Sequence, residues 1–293
     1  LGETDQAREA LEALESLADE VATASERTEI LLRFGEFHVE RGQFEAAAQY
    51  TRRARRAAPE GDQLRRAESR YYEAGMRMTE GDRERALELT ERAIEGYAGE
   101  SQGTSRALRG VARCQNMKGI ILRRSGRHRE ALEVYEQALE NATAADDGKL
   151  RRYLLNNSGL ALVYLGDYST ALDRYEQALK QCRRLGHRLD QPEYLINIGH
   201  VYYLLGRIEE AVSTIRRGIY RARQTGVNSD IANGLVSLGL CYLAQSKLDA
   251  ADRALHEGLR IADSIPEAYF GIHAMYALAR VRLAGGTSRE ART

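Results

Sequence analysis

The chain has 293 residues, 43% hydrophobic and 29% charged, with three prolines, no tryptophan and a formal net charge of zero. That composition reads as soluble, globular and helix-leaning, and it excludes a membrane-spanning helix, since no segment approaches the roughly 18 uninterrupted apolar residues one needs. Cys114, Cys182 and Cys241 are odd in number, far apart and without C-x2-C spacing, so they read as packed or surface thiols and not as a zinc or redox site.

In chain order, the opening "LGETDQAREALEALESLADE" (1–20) is acidic and helical, unlike a secretory signal or a basic transit peptide, which makes the cytoplasm the default location. Residues 1–50 hold 12 acids and 4 bases, leaving 31 acids and 39 bases in the remainder. The charge is therefore polarised along the chain, either to steer an oppositely charged partner to one end or simply as an acidic surface helix pair beside a slightly basic body. Only four of the 43 basic residues are lysine, a bias attributed to coding composition and not to nucleic-acid binding.

A repeat then organises everything that follows. "VYEQALE" (134–140) returns as "RYEQALK" (174–180), and the same register sets Ala7, Ala47, Ala86, Ala131, Ala171, Ala211, Ala251 and Ala291 at steps of 40, 39, 45, 40, 40, 40 and 40. Five residues before each alanine stands Gly2, Gly42, Gly81, Gly126, Gly166, Gly206, Ser246 or Gly286, the expected left-handed residue that ends one helix and lets the next fold back. Seven residues earlier comes another small residue: Gly35, Ala74, Gly119, Gly159, Gly199, Gly239 or Ala279. A helical glycine costs about 1 kcal/mol against alanine, so its recurrence predicts a close approach of two helix backbones. The second helices repeat the pattern with Ala54, Ala93, Ala138, Ala178, Gly218 and Gly258. Each unit is thus an antiparallel helical hairpin that buries its apolar face only by stacking, and the fold class is all-α. The 45-residue step holds "YAGESQGTS" (97–105), which predicts a longer loop and a bend in the stack.

These residues resemble the tetratricopeptide repeat (TPR). "NIGHVYYLLGRIEEAVSTIRRG" (197–218) and "NSGLALVYLGDYSTALDRYEQAL" (157–179) carry its N-x-G-x2-Y-x3-G-x4-A-x6-A pattern, with Gly218 for the last alanine and Leu162 for the tyrosine. The resemblance implies an α-solenoid, a right-handed superhelix of stacked hairpins, with repeats at about 28–61, 65–100, 105–147, 151–186, 191–226 and 230–265 and partial repeats at 1–26 and 270–293. The usual proline at the end of the second helix is present only as Pro59, so the other second helices are expected to run on, which accounts for the long period. Longer repeats of this kind are similar to those of bacterial regulatory proteins and of cargo or polarity adaptors. Because the chain opens on a second helix and closes on the start of another, it is expected to be a piece of a larger polypeptide.

The resemblance also implies that the first helix of each hairpin lines a concave wall that holds a protein or peptide. Its inward phases carry over to Tyr71, Arg113, Asn116, Arg123, Arg124, Asn156, Asn157, Leu160, Tyr164, Ile196, His200, Tyr203, Leu240 and Leu243. Arginines grip carboxylates, asparagines bond both sides of an extended backbone, and tyrosines give rigid apolar contact, so an acidic or C-terminal peptide segment is the favoured occupant. The plainer readings are a solvated helix end for Arg123 and Arg124, a packing or inter-repeat hydrogen bond for Asn157, and a half-buried wall residue for His200.

Catalysis is not expected: there is no Walker loop, G-x-S-x-G or H-E-x-x-H, and no cofactor or metal is implied. RNA binding by a helical repeat is the rival outside protein recognition. It finds only "TRRARRAAP" (51–59), whose arginines spread around a helix with acids flanking it. Within protein recognition, the sensing or regulatory arm of a larger signalling protein is favoured over a constitutive structural adaptor. Homodimerisation through an exposed end helix stays open.

Overall fold

The computed structural model describes residues 23–40, 43–99, 104–185, 191–265 and 275–283, together with Ala13 and Ser16; no strand occurs among the described residues. The helices are α1 (Ala24–Glu40), α2 (Phe44–Ala57), α3 (Gln63–Thr79), α4 (Arg83–Gly99), α5 (Ser105–Arg124), α6 (His128–Ala144), α7 (Gly148–Leu165), α8 (Tyr168–Leu185), α9 (Gln191–Leu204), α10 (Ile208–Thr225), α11 (Asn228–Ala244) and α12 (Leu248–Ala262). Residues 275–283 are helical as well.

Local chemistry explains where the helices begin. Thr23 and Glu26 form a capping box ahead of α1: Glu26 N–H donates to Thr23 Oγ1 at 3.3 Å, and Thr23 N–H donates to Glu26 Oε2 at 2.9 Å. Carboxylates take the same job at Asp62, Asp82, Asp147 and Asp167, each accepting the backbone N–H three residues on. Where a basic residue precedes the helix instead, as at Arg127 and Arg207, its guanidinium pairs with Glu130 or Glu210 in the first turn, a favourable place for an anion.

The turns fall where the repeat register places them. Gly81, Gly126, Gly166 and Gly206 have φ between 75° and 84°, and Ser246, standing in for the glycine, accepts φ 57°. Gly2, Gly42 and Gly286 lie outside the described residues. A second left-handed position closes two second helices, at Asp146 (φ 53°) and Gly226 (φ 72°). As expected from the proline, α2 ends at Ala57 before Pro59, while α8 and α10 run to 18 residues. The insertion at 97–105 is used differently from the expected plain loop: α4 continues through Gly99, and α5 begins at Ser105 behind a Thr104 cap and extends to 20 residues. Residues 100–103 lie outside the described set.

The small residues of the first helices are seats. A Cβ on Gly119 would lie 2.3 Å from the Tyr135 ring, on Gly159 2.7 Å from Tyr175, on Gly199 2.4 Å from Ile215 and on Gly239 2.5 Å from Leu255. Each seated side chain stands four residues after the anchor alanine of its hairpin, so one register supplies both knob and hole. The gain that offsets the glycine is mainly this side-chain seat. Backbone approach, the expected cause, joins it at Gly199, where Ala211 O would be 3.2 Å from the added carbon. In the hairpin of α3 and α4 the seat is Ala74 and the residue four after Ala86 is the smaller Thr90, both wholly buried.

The chain divides into two compact units, Leu1–Asn157 and Ser158–Thr293, with the boundary inside α7. In the first, small clusters hold the stack: Leu31, Leu32, Ala54 and Tyr72, then Ala67, Ala93, Tyr97 and Cys114. In the second, one continuous core runs from Ala211 and Ile215 through Leu235, Leu238 and Leu255 to Ala277 and Val281 on the last helical segment.

Candidate partner-binding faces

Within each unit the first helices approach one another: α1 touches α3, α3 touches α5, and α9 touches α11. The surface they line is therefore the inner face of each stack, the place where the sequence puts its candidate residues.

In the first unit that face is ionic and aromatic. Glu29 of α1 meets Arg65 of α3 at 3.2 Å and Arg106 of α5 at 3.5 Å, and Arg106 also meets Glu68 at 3.6 Å. Arg113 lies 4.6 Å from the Tyr71 ring centroid and 5.7 Å from that of Tyr72, donates to the Tyr72 hydroxyl at 3.4 Å, and reaches Glu36 on α1 at 3.9 Å. Burial pushes up the pKa of both phenols, which keeps them neutral beside the guanidinium. Arg113 and Tyr71 are thus engaged with each other, Arg113 forming a bridge across three hairpins.

One hairpin further on, Asn157 Nδ2 donates to Asn116 Oδ1 at 2.8 Å, the inter-repeat bond that the plainer reading of Asn157 anticipates. Both amides are half-buried, whereas Asn156 beside them is buried and engaged within the fold. Asn116 Nδ2 and Asn157 Oδ1 make no further hydrogen bond among the described residues. At the end of α5, Arg124 is exposed and Arg123 is half-buried near Tyr135, whose hydroxyl is pushed up to about 12 by burial against the opposing pull of Arg123.

In the second unit the inner face is apolar and aromatic. His200 and Tyr203 are half-buried with ring centroids 6.0 Å apart, and Tyr164 is half exposed. Leu160, Leu240 and Leu243 are half-buried, the last two packed on the core. Ile196 corrects the expectation: it is wholly buried, with Cγ1 seated against Gly218 and Cδ1 against Gly234, and so is out of a partner's reach.

Two features escaped the sequence. Arg152 on α7 is 1% exposed and donates to Gly148 O at 3.1 Å, where a lone arginine in a helical pattern reads as surface. The basic outer face of α10, "RRGIYRARQ" (216–224), holds four arginines, as "TRRARRAAP" does, and carries in addition the exposed Tyr220. Among the described residues no group of three His, Cys, Asp or Glu is placed to hold a metal, and no helix is long and apolar enough to cross a membrane.

A tetratricopeptide repeat profile matches residues 115–180 and 150–224. No curated protein matches the sequence. Among solved structures, a signal transduction ATPase with numerous domains (STAND) that carries a tetratricopeptide repeat sensor, from Pyrococcus horikoshii, superimposes with a TM-score of 0.68 at 20% identity, covering 89% of this chain and 39% of that one. This chain therefore spans well under half of that protein's length. A Rap protein complexed with competence and sporulation factor gives a TM-score of 0.63 at 16% identity over 92% of this chain and 79% of that one. Aspartyl phosphate phosphatase F from Bacillus subtilis gives 0.61 at 12% identity over 92% and 73%. At these identities the likeness is one of fold. With the profile on its central repeats and the same turn and seat geometry in the hairpins on either side, the chain carries tetratricopeptide repeats over residues 115–224 within an all-α stack of helical hairpins, a fold that serves as a scaffold for protein interaction.

Proposed function

We propose that this chain is the sensing arm of a larger cytoplasmic signalling protein, without catalytic activity of its own, and that it binds an acidic or C-terminal peptide segment along its inner face. The observation that carries the reading is the Asn116–Asn157 pair. The bond uses the Asn157 donor and the Asn116 acceptor and leaves Asn116 Nδ2 and Asn157 Oδ1 without a hydrogen bond among the described residues. An amide donor and an amide acceptor left in this way suit the C=O and N–H of an extended chain. Arg123 and Arg124, both about two turns further along α5, supply positive charge for a carboxylate. The second unit has an inner-face set of its own, Tyr164, His200 and Tyr203, which offers a peptide rigid, partly apolar contact without long side chains to order.

The sensing role draws on the similar STAND protein, in which a repeat array of this fold is the sensor and the chain spans 39% of the whole. A sensor changes shape when occupied, because a ligand shifts a conformational equilibrium only through differential affinity. The test is selection from a library of peptides displayed with free C-termini, followed by small-angle scattering. Acidic sequences that bind the parent chain, fail on Asn116→Leu/Asn157→Leu and compact the chain on binding are the expected result. Peptides held equally by the double variant would remove the site from the inner face, and binding without compaction would favour a constitutive adaptor.

A further inference from the structure

Helix α10 seats its apolar residues inward: Ala211, Ile215, Ile219 and Ala222 are all buried. Its opposite face carries Arg216, Arg217, Tyr220, Arg221 and Gln224, which line an open cleft of about 380 Å³. These positions recur at i, i+1, i+4, i+5 and i+8 and so share one side of the helix. Tyr220 is 65% exposed, a large ring facing solvent on a helix that has room inside for its other apolar groups.

The arginines of this face are not equivalent. Arg216 is fixed, donating to the Tyr242 hydroxyl at 2.6 Å, and Arg223 at the edge is paired with Glu257 at 2.7 Å. Arg217 and Arg221 make no hydrogen bond or ion pair among the described residues. Many exposed arginines elsewhere in the chain have an acid at hand, as Arg33 has Glu36 at 3.0 Å, Arg77 has Glu80 at 2.7 Å and Arg92 has Glu88 at 2.7 Å. Two arginine forks without an acid partner among the described residues, beside an exposed phenol, make a surface that attracts an anion and gives an apolar group somewhere to rest.

We propose that this outer face is a second binding site, which takes a short acidic peptide segment of a protein partner. Arg217 and Arg221 hold its carboxylates, and an apolar side chain of the segment packs on Tyr220, while the Gln224 amide is free to bond its backbone. The charge boundaries favour a short segment over a nucleic-acid strand. Exposed Glu209 and Glu210 lie upstream on the same helix and Glu257 lies at the downstream edge, so an extended phosphate backbone would run from the arginines onto acids. The site stands on a second helix and does not depend on the inner-face reading.

The test measures the anisotropy of a fluorescein-labelled hexapeptide of alternating glutamate and leucine against the full chain. Expected is saturable, salt-sensitive binding that weakens about tenfold in Arg217→Glu/Arg221→Glu and a few-fold in Tyr220→Ala. It should hold within about twofold in Arg129→Glu/Arg253→Glu, which changes net charge equally at exposed positions on other second helices. Helicity measured alongside shows that each variant is folded. Loss in Asn116→Leu/Asn157→Leu would place the peptide on the inner face and overturn the outer site. Equal loss in the charge control, displacement of the peptide by an oligothymidine of the same charge, or no binding by the parent chain would overturn it as well.

Discussion

In the first unit the inner helices α1, α3 and α5 meet through charge, while in the second α9 and α11 meet through carbon. Glu29 and Glu36 reach across α3 to Arg106 and Arg113 at 3.5 and 3.9 Å. On α9, Tyr194, Leu195, Ile196, Ile198 and Val201 are all buried, and on α11 Ile231, Leu235, Val236 and Leu238 are. The hairpin itself is common to both: Gly119 seats Tyr135 in the first unit as Gly239 seats Leu255 in the second. Cohesion within a hairpin and cohesion between hairpins are therefore separable. The first is set by the repeat register, and the second is free to vary with what each inner face must do. An ionic face is loosened by salt and adjustable by a charged ligand, whereas an apolar one is not weakened by salt.

The largest expected effect probes what the units share. Gly119→Ala and Gly239→Ala should each destabilise by about 1–3 kcal/mol, since the new methyl meets a well-packed side chain at 2.3 and 2.5 Å. Denaturant unfolding reads the cost. In a cycle with Tyr135→Thr, which copies the Ala74 and Thr90 pair, the double variant should be less destabilised than the sum of the singles by about 1 kcal/mol. Strict additivity would mean that the seat is not the reason for the glycine.

A smaller effect separates the units. Glu29 meets Arg33 at 3.6 Å, Arg65 at 3.2 Å and Arg106 at 3.5 Å, all partly exposed. Solvent screening limits such contacts, so Glu29→Gln should cost about 0.5–1 kcal/mol of local stability at low salt and almost nothing at about 1 M salt. Hydrogen exchange resolved by segment should show the loss in α1, α3 and α5 and none in α9 or α11. Equal loss in both units would end the comparison.

Much of this was legible in the sequence because it is local. The period placed Gly81, Gly126, Gly166, Gly206 and even Ser246 at left-handed turns, and Pro59 marked the end of α2. An inter-repeat bond at Asn157 was open to sequence reading, but its partner Asn116, one residue out of the 40-residue register, was not. What escaped depends on distances that no period encodes. The contact of Glu29 with Arg106 requires two first helices separated by a third to converge, and the burial of Ile196 depends on glycines from α10 and α11 closing over it. Side-chain pairing was equally unreadable: "TRRARRAAP" and "RRGIYRARQ" each hold four arginines, and no period tells that Arg55 meets Glu73 at 2.8 Å in the first or that Arg223 meets Glu257 at 2.7 Å in the second.

The smallest effect uses the buried thiols as reporters. Cys114 lies in the first unit and Cys241 in the second, both without measurable exposure. Burial pushes the Cys241 thiol up to about 12 and raises Cys114 in the same direction, so neither is a thiolate in the folded chain near neutrality. The sign follows from linkage: the fold holds these protons more tightly than the unfolded chain does. Their stabilisation is full below the ordinary thiol value and is lost as pH rises towards about 12 at Cys241. At about pH 8 alkylation must therefore wait for local opening, and its rate reports the opening equilibrium. If charge holds the first unit together, moving from about 0.05 to about 1 M salt should loosen it by up to about 1 kcal/mol and speed iodoacetamide labelling of Cys114 about two- to fivefold. Cys241, inside an apolar core, should label no faster, because salt leaves carbon contacts intact or strengthens them. Equal acceleration at both thiols would mean that salt acts on the helices themselves and not on the ionic inner face.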